Sequence, residues 1–251
     1  MRIENSFIPV RGVGEQTERR LWRRGVTHWD EFDGTGVGET KAGRIESFIR
    51  EARTALDAGD AHYFSETFPS GTHWRLYENF RDEATFFDIE TTGLSRHYND
   101  VTTVSVHRGG ETRTLVSGRD LTAEALSREL GAAPLLVSFN GKRFDVPFLE
   151  STFDVSLDAP HVDLLYPCRT LGLTGGLSAV ERELGVERDR PDISGEDAVR
   201  LWHRYEAGDD DALDTLVSYN REDTVNMVEI MDSVTDALHE RVFLAARDGG
   251  E

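Results

Sequence analysis

At residue 84 the chain changes its pattern, and that change restricts its fold more than any other feature. ATFFDIE (84–90), VTTVSVHR (101–108) and ETRTLVSG (111–118) are successive strand-type runs. The second and third are parted by Gly109-Gly110, which reads as the turn of a β-hairpin. A helix is predicted over 120–130, a buried strand over 134–140 (PLLVSFN), a helix over 145–153 and a short fifth strand in HVDLL (161–165). Beyond that the chain reads as helical over 177–184, 195–206, 210–217 and 219–240. Three leading strands, then alternation, then a helical tail imply an α/β fold, with a mixed sheet covered by helices on both faces.

Upstream of residue 84 the pattern is helical. Residues 44–58 place Ile45, Phe48, Ile49, Ala52 and Leu56 on one face. In residues 6–32 a Gly12-Val13-Gly14 turn leads into a helix that Gly25 ends, and Thr27 is placed to cap a second short helix through Trp29 and Phe32. Such a turn presents backbone N–H groups to an anion, although glycine also serves there simply for its positive φ. Residues 33–43 (DGTGVGETKAG) read as a linker or loop, and their glycines precede no Lys-Ser/Thr pair of a phosphate-binding loop. The stretch 60–80 carries Phe64, Phe68, Trp74, Tyr77 and Phe80, which packing accounts for better than base stacking. The expected division is a helical domain over 1–80 and an α/β domain over 81–251.

Charge separates the same two regions. The chain carries 47 acidic and 28 basic side chains, a net charge of −19, with Lys41 and Lys142 the only lysines. Residues 1–80 hold 13 acidic and 11 basic groups, and residues 81–251 hold 34 and 17. Abundant Asp and Glu with almost no Lys predicts a protein adapted to a salt-loaded cytoplasm. Most of such a surface repels polyanions. Residues 11–28 reverse the sign, with Arg11, Arg19, Arg20, Arg23 and Arg24 against Glu15 and Glu18. That stretch is either a polyanion contact or a solvated helix face with local ion pairs.

Several chemistries drop out. A single cysteine, Cys168, excludes a disulfide scaffold and a cysteine zinc site. The eight histidines show no HExxH spacing, and no GxSxG elbow is present. No run of eighteen apolar residues exists, and MRIENSFIPVRG lacks the apolar core of a secretion signal, so a soluble cytoplasmic protein without membrane contact is expected.

Three segments carry the chemistry that is left. Side chains alternate along a strand, so Asp88 and Glu90 share a face about 7 Å apart, at the end of a run that Phe86 and Phe87 mark as buried. Two such carboxylates repel unless a cation joins them, and hard oxygen donors suit Mg²⁺ or Mn²⁺. Asn140 ends the fourth strand-type run, Gly141 makes a turn, and Asp145 starts a helix, where it serves either as a cap or at the same sheet edge as Asp88. On the last helix, counting back by fours from the apolar Met227 gives Asp223 and then Tyr219, so both face inward. An inward carboxylate needs a partner or a metal.

Asp88-x-Glu90, Asn140-x4-Asp145 and Tyr219-x3-Asp223 occur in the order and spacing of three exonuclease motifs. With FFDIETTGL, SFNGKRFDVPFL, HVDLL, GLSAVERELGV and LVSYNREDTVNM, the chain resembles the DnaQ-like 3′–5′ exonucleases of the ribonuclease H-like superfamily, and within them the YprB-type branch. The N-terminal stretch resembles a helix-hairpin-helix element. The resemblance implies a five-stranded mixed sheet and a small preceding helical domain. It further implies two divalent ions held by Asp88, Glu90, Asp145 and Asp223, with Tyr219 acting on the attacking water. Nucleic acid, single-stranded 3′ ends above all, is the implied partner, with Gly12, Gly14, Arg19, Arg20, Arg23, Arg24 and Asn140 as contacts. Asp163 reads as supporting structure. Rival readings are a nucleic-acid-binding scaffold without activity and a structure-selective endonuclease on the same site.

Overall fold

The computed structural model describes residues 1–249, which divide into two compact units: Met1–Arg81 with the chain from Ser233 onward, and Asp82–Asp232. The C-terminal segment, expected with the second domain, thus groups with the first.

In the first unit α1 (Glu15–Arg23) starts at Gly14, and Gly12 before it has φ +89°. The second short helix expected at Thr27 is a single 3-10 turn, Trp29–Glu31, capped by His28. Three more helices follow: α2 (Glu39–Asp57), α3 (Ala61–Thr67) and α4 (Tyr77–Phe80). The aromatic residues are packing groups. Phe64, Trp74, Tyr77 and Phe80 are all buried, and Trp29 meets Phe48 edge-on at 5.6 Å. Trp22 packs edge-on against Phe243, 5.0 Å away, which ties α1 to the C-terminal segment. Glu18 turns away from the arginines of α1 into the core. There it accepts from Ser6 Oγ and the Phe7 amide, each at 2.8 Å, and pairs with buried Arg75 at 2.9 Å. A buried charge is tolerated when it is paired and hydrogen-bonded in this way.

The second unit is built on a five-stranded sheet: β1 (Ala84–Thr91), β2 (Val101–Arg108), β3 (Glu111–Val116), β4 (Leu135–Ser138) and β5 (His161–Asp163), in the order β3-β2-β1-β4-β5. β1 and β3 run antiparallel to β2, while β4 is parallel to β1 and β5. The helices are α5 (Ala123–Leu126), α6 (Asp145–Phe153), α7 (Leu165–Leu171), α8 (Leu177–Leu184), α9 (Gly195–Glu206) and α10 (Asp210–Leu238). The two helices expected over 210–240 are the single helix α10. No glycine or proline stands near Ser218, and buried Leu216, Tyr219 and Asn220 carry the inward stripe across it.

Alternation along β1 divides the unit. Phe87 and Ile89 join Val104, Leu126, Leu136, Phe148 and Leu149 in one core on the side of α5 and α6. A second core joins Val116 to Leu201, Trp202, Leu213, Leu216 and Tyr219 from α9 and α10. Among the described residues no helix is long and apolar enough to cross a membrane.

Candidate metal centre

The strand pairing determines where the carboxylates meet. Because β4 is parallel to β1, with Phe86 beside Val137, both strands end at the same edge of the sheet. Asp88 and Glu90 leave β1 there, and Asp145 follows as the first residue of α6, with Phe144 rather than Asp145 at the cap position. Asp223 comes from α10. One oxygen each from Asp88, Glu90 and Asp223 lies within 4.8 Å of the other two. Asp145 and Asp223 are buried, and Asp88 and Glu90 are half-buried.

Such crowding leaves a mark on protonation. Loss of solvent holds Asp88 well above the usual carboxylate range, and repulsion from Asp145, Asp223 and Glu90 adds to it. Glu90 is raised in the same way by lost solvent, Asp223 and Asp145. Burial lifts Asp145 to about 7 against the pull of its own and the Ile89 amides. Burial also lifts Asp223 to about 7, opposed chiefly by Arg188.

The turn carrying Asp145 is held from below. Asn140 takes the left-handed conformation at φ +64°. Its amide donates to Asp163 Oδ1 at 2.7 Å, and the Lys142 and Leu165 amides donate to the same carboxylate at 3.2 and 3.1 Å. Asp163 thus anchors the turn. A Cβ on Gly141 would lie 2.1 Å from Ser138 Oγ, so only glycine fits. Ser138 Oγ is bonded to His161 Nε2 at 2.7 Å, and burial drives the His161 pKa down to about 3, which keeps that ring neutral.

Two supports were not read from the sequence. Asn220, fully buried, donates from Nδ2 to Asp88 Oδ2 at 2.8 Å and accepts from Thr103 Oγ1 at 3.0 Å. Arg188 donates from Nη2 to Asp223, and from Nε and Nη2 to buried Glu181, while its guanidinium lies 5.6 Å over the Tyr219 ring. Tyr219 beside Asp223 also helps to hold that carboxyl's pKa down. Burial and the neighbouring carboxylates push this phenol far above its ordinary value, so it stays protonated. Asn220 sits inside the YNRED segment, where an inward position was the available signal; nothing near Arg188 in sequence marks it.

The remaining expected contacts lie apart in the chain. Gly12, Gly14, Arg19, Arg20, Arg23 and Arg24 belong to the first unit, the four arginines exposed and Arg19 3.7 Å from Glu15. Beside Glu90 a hollow of ≈ 670 Å³ opens, lined by Ile89, Leu94, Phe144, Val199 and the start of α9 at Ser194.

The sequence model of the RNase_H superfamily matches residues 85–235. No curated protein matches the chain. Among solved structures, NrnC of Brucella melitensis bound to pGG is 18% identical, with 69% of this chain and 82% of that chain covered and a TM-score of 0.47. The family B DNA polymerase of the hyperthermophilic archaeon Pyrobaculum calidifontis is 17% identical over 61% of this chain, with a TM-score of 0.47. The chain spans only 26% of that polymerase.

Proposed function

Because the chain belongs to the RNase_H superfamily, we propose that its second unit is a metal-dependent nuclease, a 3′–5′ exonuclease acting on DNA or RNA. The observation that carries the reading is the convergence of Asp88, Glu90 and Asp223 within 4.8 Å at the sheet edge, with Asp145 beside them. Four carboxylates against one arginine are under-neutralised by the protein itself, and an all-oxygen set suits Mg²⁺ or Mn²⁺. Two ions on the four carboxylates, and the DnaQ-like, YprB-type assignment, belong to the same reading. All four acidic positions and the tyrosine of those motifs are occupied.

When bound, such ions activate water and stabilise the leaving 3′ oxygen. The chain's own groups arrange the ligands. Asn220 fixes the direction of Asp88, and Arg188 fixes that of Asp223. Tyr219, kept protonated, is a hydrogen-bond donor that orients water or ligand rather than a base. Asn140 shapes the turn that delivers Asp145. Arg19, Arg20, Arg23 and Arg24, with the amides after Gly12 and Gly14, take phosphate in this reading. Their support is that Glu18 is turned inward, which leaves Glu15 as the acidic group of α1 on their side.

The test is degradation of 5′-labelled single-stranded DNA and RNA in concentrated KCl, with Mn²⁺, Mg²⁺ or EDTA, for the wild type and Asp223→Ala. A descending ladder that needs metal and vanishes in the variant is expected. Binding without cleavage supports an inactive scaffold instead, and cutting of circular substrate supports an endonuclease.

A further inference from the structure

A second hollow, of ≈ 290 Å³, adjoins the one that reaches Glu90. It is lined by Arg96, His97 and Arg143 among apolar Leu94, Phe144 and Phe148, and none of its lining residues is acidic. That is unusual in a region with twice as many acids as bases. Of the ten other exposed arginines of this unit, five are ion-paired: Arg113 and Arg128 with Glu129, Arg190 with Asp192, Arg200 with Asp197 and Arg204 with Asp209. The exposed side chains of Arg96, His97 and Arg143 make no ion pair or hydrogen bond among the described residues.

The turn that presents Arg96 and His97 is firmly built. The Thr92 amide donates to the Asp100 carbonyl and the Asp100 amide to Thr92 Oγ1, both at 2.9 Å. Asn99 Nδ2 donates to the Ser95 carbonyl at 3.0 Å, and a Cβ on Gly93 would come within 2.6 Å of Asn99 Oδ1. With the backbone bonded inward, Leu94 and Tyr98 each stand 88% exposed. Large apolar side chains held in water beside unpaired cations mark a binding surface.

Leu94 and Phe144 line both hollows, so one path runs from Glu90 past Leu94 to Arg96 and Arg143. The geometry points to a track for an unpaired nucleic-acid strand, with Arg96 and Arg143 on its phosphates and Tyr98 against a base. A duplex offers phosphates but keeps its base faces stacked, whereas a single strand offers both. The inference rests on the reading that the carboxylates act on nucleic acid, and it names residues that reading leaves idle.

Fluorescence anisotropy of 5′-fluorescein oligothymidylate and oligouridylate in EDTA tests it. Binding is read without cleavage, so failure of the ladder and failure of the track are separate results. Arg96→Ala with Arg143→Ala should weaken single-strand binding about tenfold or more. The salt slope should fall by about 1.4, at roughly 0.7 per phosphate contact. Arg96→Lys with Arg143→Lys should recover most of the affinity, and Tyr98→Ala should weaken single-strand but not duplex binding. Arg108→Ala with Arg128→Ala removes the same charge from residues that do not line the path and should stay near wild type. The proposal is overturned if the Arg96/Arg143 double variant binds like wild type, or if wild type shows no binding at the lowest KCl concentration at which circular dichroism shows it folded. It is equally overturned if polyglutamate displaces the probe as well as unlabelled oligonucleotide, which would make the track an acidic-peptide site.

Discussion

Arg188 donates to the carboxylate of Asp223 with both side chains more than nine-tenths withdrawn from solvent. A guanidinium does not lose its proton in a protein, so a permanent positive charge is fixed among carboxylates. It also grips Glu181, and Glu181 accepts in turn from Asn226 Nδ2 at 3.0 Å. The centre is therefore part of a longer buried network, whose cation comes from the segment between α8 and α9.

Replacing that cation tests the network. Arg188→Met leaves Glu181 and Asp223 buried without their counter-charge. Breaking one side of a buried pair costs about 3–5 kcal/mol. We expect a loss of that size in urea unfolding of the metal-free protein, and a smaller one in Glu181→Gln, which keeps a hydrogen-bonding partner for Arg188.

Protonation gives a second expectation. Asp145 and Asp223 ionise near 7 in the folded chain against an ordinary value of 3.8. Between those pH values the folded state binds more protons than the unfolded one, so stability falls as pH rises through that window and levels off above it. Unfolding free energies at pH 5 and pH 8 should differ by about 5 kcal/mol from this source, at about 1.4 kcal/mol per pH unit for each of the two groups. Asp145→Asn with Asp223→Asn should remove this part of the decline and leave that of Asp88 and Glu90. Mn²⁺ at pH 8 should restore stability to wild type and not to the double variant, since a bound cation replaces the missing protons.

Gly141 offers a steric test. The added methyl of Gly141→Ala meets Ser138 Oγ at 2.1 Å and Ser138 Cβ at 2.7 Å, so the turn must shift and carry Asp145 with it. Overpacking of this kind costs about 1–3 kcal/mol. The expected result is a lower melting temperature together with weaker stabilisation by Mn²⁺, read in the same thermal scan.

Net charge sets a fourth expectation. At −19 the folded chain repels itself, and at about 1 M salt the Debye length shrinks to about 3 Å. The protein should unfold or melt far lower in dilute buffer than in molar KCl. Equal melting temperatures in the two would remove salt adaptation from the account. The Glu18–Arg75 pair, shielded from solvent, should contribute little to that dependence.

The sheet and the carboxylates were legible because they rest on local periodicity. Asp88 and Glu90 follow from period two on a strand, and Asp223 and Tyr219 from period four on a helix. Arg188 was not legible, since its role depends on a connection folding back over α10, and no spacing rule covers a contact 35 residues apart. The cations of the second hollow were hidden for a related reason. Arg96 and Arg143 lie far apart in sequence, and parallel pairing of β1 with β4 brings their turns to one edge. The Arg19–Arg24 cluster, conspicuous in sequence, lies in the other unit.

The place of β1 in the sheet has a consequence for ion selection. It is the middle strand, paired with β4 over Ala84–Phe86 and with β2 through Asp88 and Glu90, so the two carboxylates stand on backbone held by the β2 ladder up to the register shift after Glu90. Asp145 and Asp223 ride on helix positions instead. Adjustment to the radius of a cation should come chiefly from those two, with the ladder-bound strand acting as the firmer jaw of a vice. A larger ion should therefore be recorded as a displacement of α6 and α10 while the sheet keeps its register.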